Sequence, residues 1–232
     1  MTRIAAGAGV LLILAGMAQA SSGKSRTVEC AGRKFRYVLY SPAAEKELPA
    51  VLLLHGAGDR PEPMVEAWMV LAQAEQIALI APELPREEKF EPMAPQVFRC
   101  MIEDAKRFAK LDTRRLYLFG NSMGGYLAYD AALLDSEYYA AAAIHAMRIA
   151  DDYTWIVEKA TRKIPIAIYV GDSDQFFPVA KIVETRNLLL KKNSPVHFMV
   201  LKNHDHNYYA LSEMINADAW NFMRSIRLDM GK

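Results

Sequence analysis

The sequence predicts an α/β fold, a mostly parallel central sheet with helices on both faces. Three observations predict it. Short, continuous apolar runs such as Ala50–Leu54 (AVLLL) and Ile77–Ile80 (IALI) read as strands covered on both sides. Amphipathic stretches with helical spacing separate them, the alternation expected of a parallel sheet. Between an apolar run ending at Phe119 and a helical pattern beginning near Gly124 lies Gly120-Asn121-Ser122-Met123-Gly124, a G-x-S-x-G at a strand-to-helix turn.

In chain order, Arg33–Tyr40 (RKFRYVLY) alternates polar and apolar residues in its first half and reads as a half-buried strand. Ala50–Leu54 is a buried strand, Met64–Glu75 a helix and Ile77–Ile80 the next strand. The Pro-rich stretch Pro82–Pro95 is expected to run over the surface. Val97–Lys110 (VFRCMIEDAKRFAK) is an amphipathic helix with Phe98, Met101, Ile102, Ala105, Phe108 and Ala109 on one face. Leu116–Phe119 is a strand and Gly124–Leu134 a helix. Ala140–Ile144, Ile164–Val170 and Val196–Leu201 are three further strands, and Leu211–Leu228 closes the chain as a helix.

Composition narrows the function classes. The 232 residues are 52% hydrophobic and 24% charged, which excludes wholesale disorder, a fibrous repeat and a multi-span membrane protein. A formal charge of +1 gives no electrostatic footprint for nucleic acid. No repeat and no linker marks an internal boundary, so residues 21–232 are expected to form a single domain. Residues 1–20 read as a signal peptide: Arg3, an apolar run from Ile4 to Ala18, then Ala18-Gln19-Ala20 before the cleavage point. That run is shorter than the roughly 20 residues a spanning helix needs. The expected destination is secreted or periplasmic, with no stable membrane insertion after cleavage. Cys30 and Cys100 fit no zinc spacing, and in an oxidising compartment they are candidates for a disulfide. On the helical wheel Cys100 lies off the apolar stripe; whether the two pair stays open at this stage.

The chemistry sits at strand ends. Glycines around Ser122 let strand and helix approach closely and raise the hydroxyl above the sheet. The N–H of Met123, at a helix N-terminus, can then face developing negative charge. A serine needs a base, and the base an orienting acid. After the strand ending at Val170 come Asp172 and Asp174, and after the strand ending at Leu201 come His204 and His206. Spacing leaves both pairs open. No group of histidines and carboxylates has metal-ligand spacing, so no metal or cofactor is expected.

These motifs resemble the α/β-hydrolases, and among them the compact secreted esterases related to polyhydroxybutyrate depolymerases, feruloyl esterases and esterase D. LDTRRLYLFGNSMGG (Leu111–Gly125) resembles their segment in which a D-x-x-R turn precedes the nucleophile strand. GDSDQFFP is similar to their G-x-x-D acid loop, which maps the acid onto Asp174 and leaves Asp172 as a loop cap. DHNYY is similar to the D-H-S-Y-Y of esterase D, which maps the base onto His206 and leaves His204 at the surface or rim. LLLHGAGD resembles the loop supplying the second oxyanion donor, taken as the N–H of Ala57 with Gly56 as competitor; His55 bonds backbone in that loop. His145 is expected to be buried and satisfied, and His197 structural.

The resemblance implies an α/β-hydrolase fold without a large lid domain, since only a short crossover follows Ala140–Ile144. It also implies a serine esterase working through an acyl-enzyme on a small-molecule or polymeric ester, with activity lost at acid pH as the base protonates. Tyr153, Trp155, Phe176 and Phe177 are either an aromatic wall for the substrate or core and loop anchors. Two other readings share the fold: a prolyl-oligopeptidase-like serine peptidase, which usually carries an additional N-terminal domain, and a non-catalytic binding module.

Overall fold

The computed structural model describes residues 23–84 and 95–229. The expected signal peptide and most of the Pro82–Pro95 stretch lie outside the described residues. Eight strands form one sheet in the order β1-β2-β4-β3-β5-β6-β7-β8. They are β1 (Lys24–Cys30), β2 (Arg33–Tyr40), β3 (Leu48–Leu54), β4 (Ala78–Pro82), β5 (Leu111–Asn121), β6 (Ala141–His145), β7 (Ile166–Gly171) and β8 (Val196–Leu201). β1 pairs antiparallel with β2 and β2 with β4; every pairing from β4 to β8 is parallel.

The helices are α1 (Pro61–Glu75), α2 (Pro95–Ala105), α3 (Met123–Leu134), the short α4 (Ile156–Lys159), α5 (Val179–Lys191) and α6 (Ser212–Met223). Alternation along the strands assigns them to faces, because successive side chains of a strand point to opposite sides. Leu52 and Leu54 of β3, Leu116 and Leu118 of β5 and Ile144 of β6 pack with Phe98, Met101, Leu127 and Ile182 of α2, α3 and α5. Their neighbours Val51, Leu53, Tyr117, Phe119 and Ala143 pack with Met64, Trp68, Ile215 and Trp220 of α1 and α6. Both faces of the sheet are therefore covered, which is why these strands read as unbroken apolar runs.

Among the differences from expectation, four have a clear physical cause. β1 was not foreseen: its residues are mostly exposed, and it joins β2 through Ala31 and Gly32, both with positive φ (50° and 74°), a turn that matches strand twist. β5 starts at Leu111, because the Asp112–Arg115 stretch is a bulge in the pairing with β3, held by Asp112 accepting from Arg114 N and from Arg115 Nε. α2 ends at Ala105, so Phe108 leaves the apolar face, is 47% exposed and lies under the Arg26 guanidinium. The last helix ends at Met223, and the chain beyond it returns to β5, where Tyr117 donates to the Ile226 carbonyl at 2.7 Å.

Cys30, at the end of β1, and Cys100, in α2, form a disulfide. Among the described residues no helix is long and apolar enough to cross a membrane.

Candidate active site

Four loops leave the C-terminal ends of neighbouring parallel strands and meet, the position where open α/β sheets bind ligands. They follow β3 (Gly56, Ala57), β5 (Ser122), β7 (Asp174) and β8 (His206). Ser122 takes φ 52° and ψ −120°, a left-handed backbone that a side chain rarely adopts. The bend is possible because Gly124 has no Cβ: one built there would lie 2.0 Å from the Leu54 carbonyl oxygen. Met123 is the first residue of α3, so its N–H stands at the helix N-terminus.

The predicted residues come together in one hydrogen-bonded line. Ser122 Oγ and His206 Nε2 are 2.9 Å apart, and His206 Nδ1 and Asp174 Oδ2 are 2.8 Å apart. Because a carboxylate only accepts, Nδ1 carries the ring hydrogen and Nε2 is free to accept from the serine hydroxyl. The Asp174 side chain is fully buried. Its other oxygen, Oδ1, accepts from the N–H groups of Phe176 and Phe177 at 2.8 and 2.9 Å. The loop-capping role expected of Asp172 thus belongs to Asp174. Asp172 is exposed, and its carboxylate accepts from its neighbour Ser173 Oγ.

His204 also departs from expectation. It is only 3% exposed and lies behind the site, with its Nε2 3.2 Å from Nε2 of the fully buried His145. Beyond β8 the chain turns at Lys202 and Asn203 and bends again at His206, so the extended alternation that would aim positions 204 and 206 alike is absent. His145 is satisfied as expected, its Nδ1 2.8 Å from Asn121 Oδ1. Burial is the main cause lowering its pKa to about 3, aided by His204 and His206; burial likewise lowers His204. His55 bonds backbone on both sides, through Nδ1 to the Gly56 carbonyl and through Nε2 from the Leu84 N–H. His197 is bonded to Asp218 at 2.7 Å.

These loops enclose an open cleft of about 680 Å³, whose lining includes Ala57, Asn121, Ser122, Phe176, Phe177 and Tyr209. The Phe177 ring stacks on the His206 imidazole and the Phe176 ring meets it edge-on. Opposite them Tyr209 donates its hydroxyl to Asp59, tying the β8 loop to the β3 loop. Tyr153 and Trp155 lie away from the cleft: Tyr153 donates to the buried Asp130 of α3, and Trp155 packs edge-on against Tyr153. Sequence reasoning missed Asn121, Asp59 and Tyr209 as lining residues, although each adjoins or lies within a motif it quoted. Among the described residues no group of three or more His, Cys, Asp or Glu is arranged to hold a metal ion.

The comparisons with known proteins agree with this architecture. The chain is 28% identical over 172 residues to the esterase candidate NocK of Nocardia uniformis subsp. tsuyamanensis, matching 66% of this chain and 49% of that one. It thus spans about half the length of that curated relative. It superposes on a thermostable esterase with a TM-score of 0.70 at 17% identity, covering 90% of this chain and 64% of the other. It superposes on Thermogutta terrifontis esterase 2, solved phosphorylated by paraoxon, with a TM-score of 0.71 at 13% identity, covering 92% and 98%. The model of the dienelactone hydrolase family matches residues 72–225, well over half of the sequence, and the chain belongs to that family of the α/β-hydrolase superfamily.

Proposed function

We propose that this protein is an exported serine esterase that hydrolyses carboxylic esters through an acyl-enzyme, with Ser122 as nucleophile, His206 as base and Asp174 as orienting acid. The observation that carries the reading is the unbroken line from Ser122 Oγ through both His206 nitrogens to Asp174 Oδ2, at 2.9 and 2.8 Å. His206 Nε2 takes the hydroxyl proton as Ser122 attacks the ester carbonyl, and Asp174 stabilises the imidazolium. The N–H groups of Ala57 and Met123 receive the charge on the carbonyl oxygen. The imidazolium then protonates the departing alkoxide, and water, activated by the same ring, releases the acid.

Two features bear on substrate and location. Among the described lining residues Phe176, Phe177 and Tyr209 give apolar surface, and Asp59 is the one permanent charge. That supports neutral esters with an apolar group, small or polymeric, over anionic ones. The Cys30–Cys100 disulfide supports an oxidising compartment and hence export. The compact esterase branch that the motifs resemble is compatible with the solved neighbours.

Ser122→Ala should reduce p-nitrophenyl acetate hydrolysis by several orders of magnitude and abolish labelling by an organophosphate. Wild-type turnover in that variant would refute the assignment. Faster cleavage of aminoacyl anilides than of p-nitrophenyl esters would favour the peptidase alternative instead.

A further inference from the structure

Asn121, the last residue of β5, is 8% exposed, yet it lines the cleft beside Ser122. Its two amide atoms have different fates. Oδ1 is engaged by His145 Nδ1 at 2.8 Å. Nδ2 has no hydrogen-bond partner among the described residues and is not one of the fully buried side-chain atoms left without one, so it opens onto the cleft. It lies toward the loop after β3: a Cβ built on Gly56 would be 3.3 Å from Nδ2 and 3.7 Å from Ser122 Cβ. A donor held on the cleft wall beside the nucleophile is available to a substrate oxygen without first breaking a bond within the protein.

The amide orientation is coupled to the protons behind it: with Oδ1 facing His145, the order is set along the whole line. An amide oxygen only accepts, so His145 Nδ1 must carry the hydrogen and His145 Nε2 the lone pair. His204 Nε2, 3.2 Å away, must then be the donor. Asn121, His145 and His204 therefore form one directed chain of neutral groups. The same two histidines act through their backbone. The His145 carbonyl accepts from Ser122 N at 2.9 Å, and the His204 carbonyl accepts from Ser173 N, in the Asp174 loop, at 3.0 Å.

We propose that Asn121 Nδ2 is a third donor to the oxygen of the tetrahedral intermediate, acting beside the Ala57 and Met123 N–H groups, with His145 and His204 as positioning residues that fix its amide. The proposal rests on the esterase reading above. It assigns a catalytic contact to the second residue of the Gly120-Asn121-Ser122-Met123-Gly124 turn, a position whose side chain the motif itself leaves unspecified.

The test compares Asn121→Ala with Asn121→Asp on p-nitrophenyl acetate, with thermal melts of each. Loss of one oxyanion donor typically costs about 100-fold or more in kcat, and here two backbone N–H groups would remain. With those two donors still in place, a fall of at least about fivefold, with KM nearly unchanged, is the expected result. The Asp variant should be the slower of the two. Its carboxylate still accepts from His145 but turns a second oxygen toward the developing negative charge, whereas Ala only removes the donor. A purely structural Asn121 predicts the reverse order, because Asp keeps the His145 bond and Ala loses it. A smaller fall in kcat, an effect confined to KM, or the reversed order overturns the proposal. If the Ala variant does not fold, the fivefold criterion on Asp decides alone.

For the positioning pair, His204→Leu should lower kcat and His204→Gln, which retains a donor, should restore most of it. Equal rates for the two would remove His145 and His204 from the scheme. An inactive wild-type enzyme would instead refute the esterase reading, so the two failures are distinguishable.

Discussion

Asp130 offers a quantitative test of how the helix behind Ser122 is built. It lies in α3, is 3% exposed, and accepts a hydrogen bond from Tyr153 at 2.8 Å. Burial raises its carboxyl from 3.8 to about 6, opposed in part by the Tyr153 bond. Two pKa units at about 1.4 kcal/mol each correspond to about 3 kcal/mol. The native protein holds this proton more tightly than the unfolded chain does. Between about pH 4 and about pH 6 the folded state therefore binds more protons, and stability falls as pH rises through that window. Above it the penalty of the buried carboxylate is complete; below it the penalty is absent. Asp130→Asn removes the ionisation. Urea or thermal unfolding of wild type and variant at pH 4 and pH 8 should show the substitution more favourable at pH 8 by about 3 kcal/mol. At roughly 2–4 °C of Tm per kcal/mol for a chain of this size, that is about 6–12 °C. Any packing cost of the new amide is present at both pH values and cancels in the comparison. A pH-dependent difference below about 1 kcal/mol, or one of opposite sign, would refute the account.

Two further outcomes are expected. The Cys30–Cys100 bridge spans a sequence separation of 70, and the chain-entropy relation gives it about 4 kcal/mol. Replacing both cysteines by serine should lower the urea midpoint accordingly, and a loss under about 1 kcal/mol would mean that the β1–α2 contacts already hold that corner. Gly171→Ala would place a Cβ 2.0 Å from the His204 carbonyl oxygen, so the Asp174 and His206 loops must part. kcat should fall at least tenfold and Tm with it; an active variant with an unchanged melt would show that the two loops do not depend on this close approach.

The sequence disclosed those parts of the molecule whose environment repeats. β3, β6, β7 and the second half of β5 are buried on both faces, so each left an apolar run; the edge strand β8 is only half-buried, yet its Val, Phe, Met and Leu residues marked its bounds, Val196–Leu201. β1 left none, because its partner lies on one side and solvent on the other. α5 went unpredicted although Ile182, Thr185 and Leu189 sit at helical spacing, since its remaining residues are largely exposed and dilute the pattern. At the site, the G-x-S-x-G turn was legible because glycines mark close approach. The choice between Asp172 and Asp174, or His204 and His206, was not legible from spacing. It depends on the turn after β8 and the bend at His206, and on which carboxylate can reach both Phe176 N and His206, and those are properties of the assembled loops.

The site's backbone explains why it lies immediately past the strand ends. Ser122, Ala146 and Asn203 all adopt left-handed φ without being glycine (52°, 51° and 54°), just beyond β5, β6 and β8. Each such residue costs on the order of 1–3 kcal/mol and persists only where its surroundings hold it. Here the sheet's own ladder runs one step further than the strands. Ser122 N bonds the His145 carbonyl and Ala146 N bonds the Tyr169 carbonyl, both at 2.9 Å, while Asp172 N bonds the Leu201 carbonyl at 3.0 Å. Every strained bend thus adjoins a neighbouring strand that is itself buried on both faces and cannot move aside. A long loop would carry the same residues but could relax their φ values and let Ser122 drift from His206. On the proposed reading, the rigidity that makes the sheet a poor place to change sequence is what holds hydroxyl, imidazole and carboxylate in line before a substrate arrives.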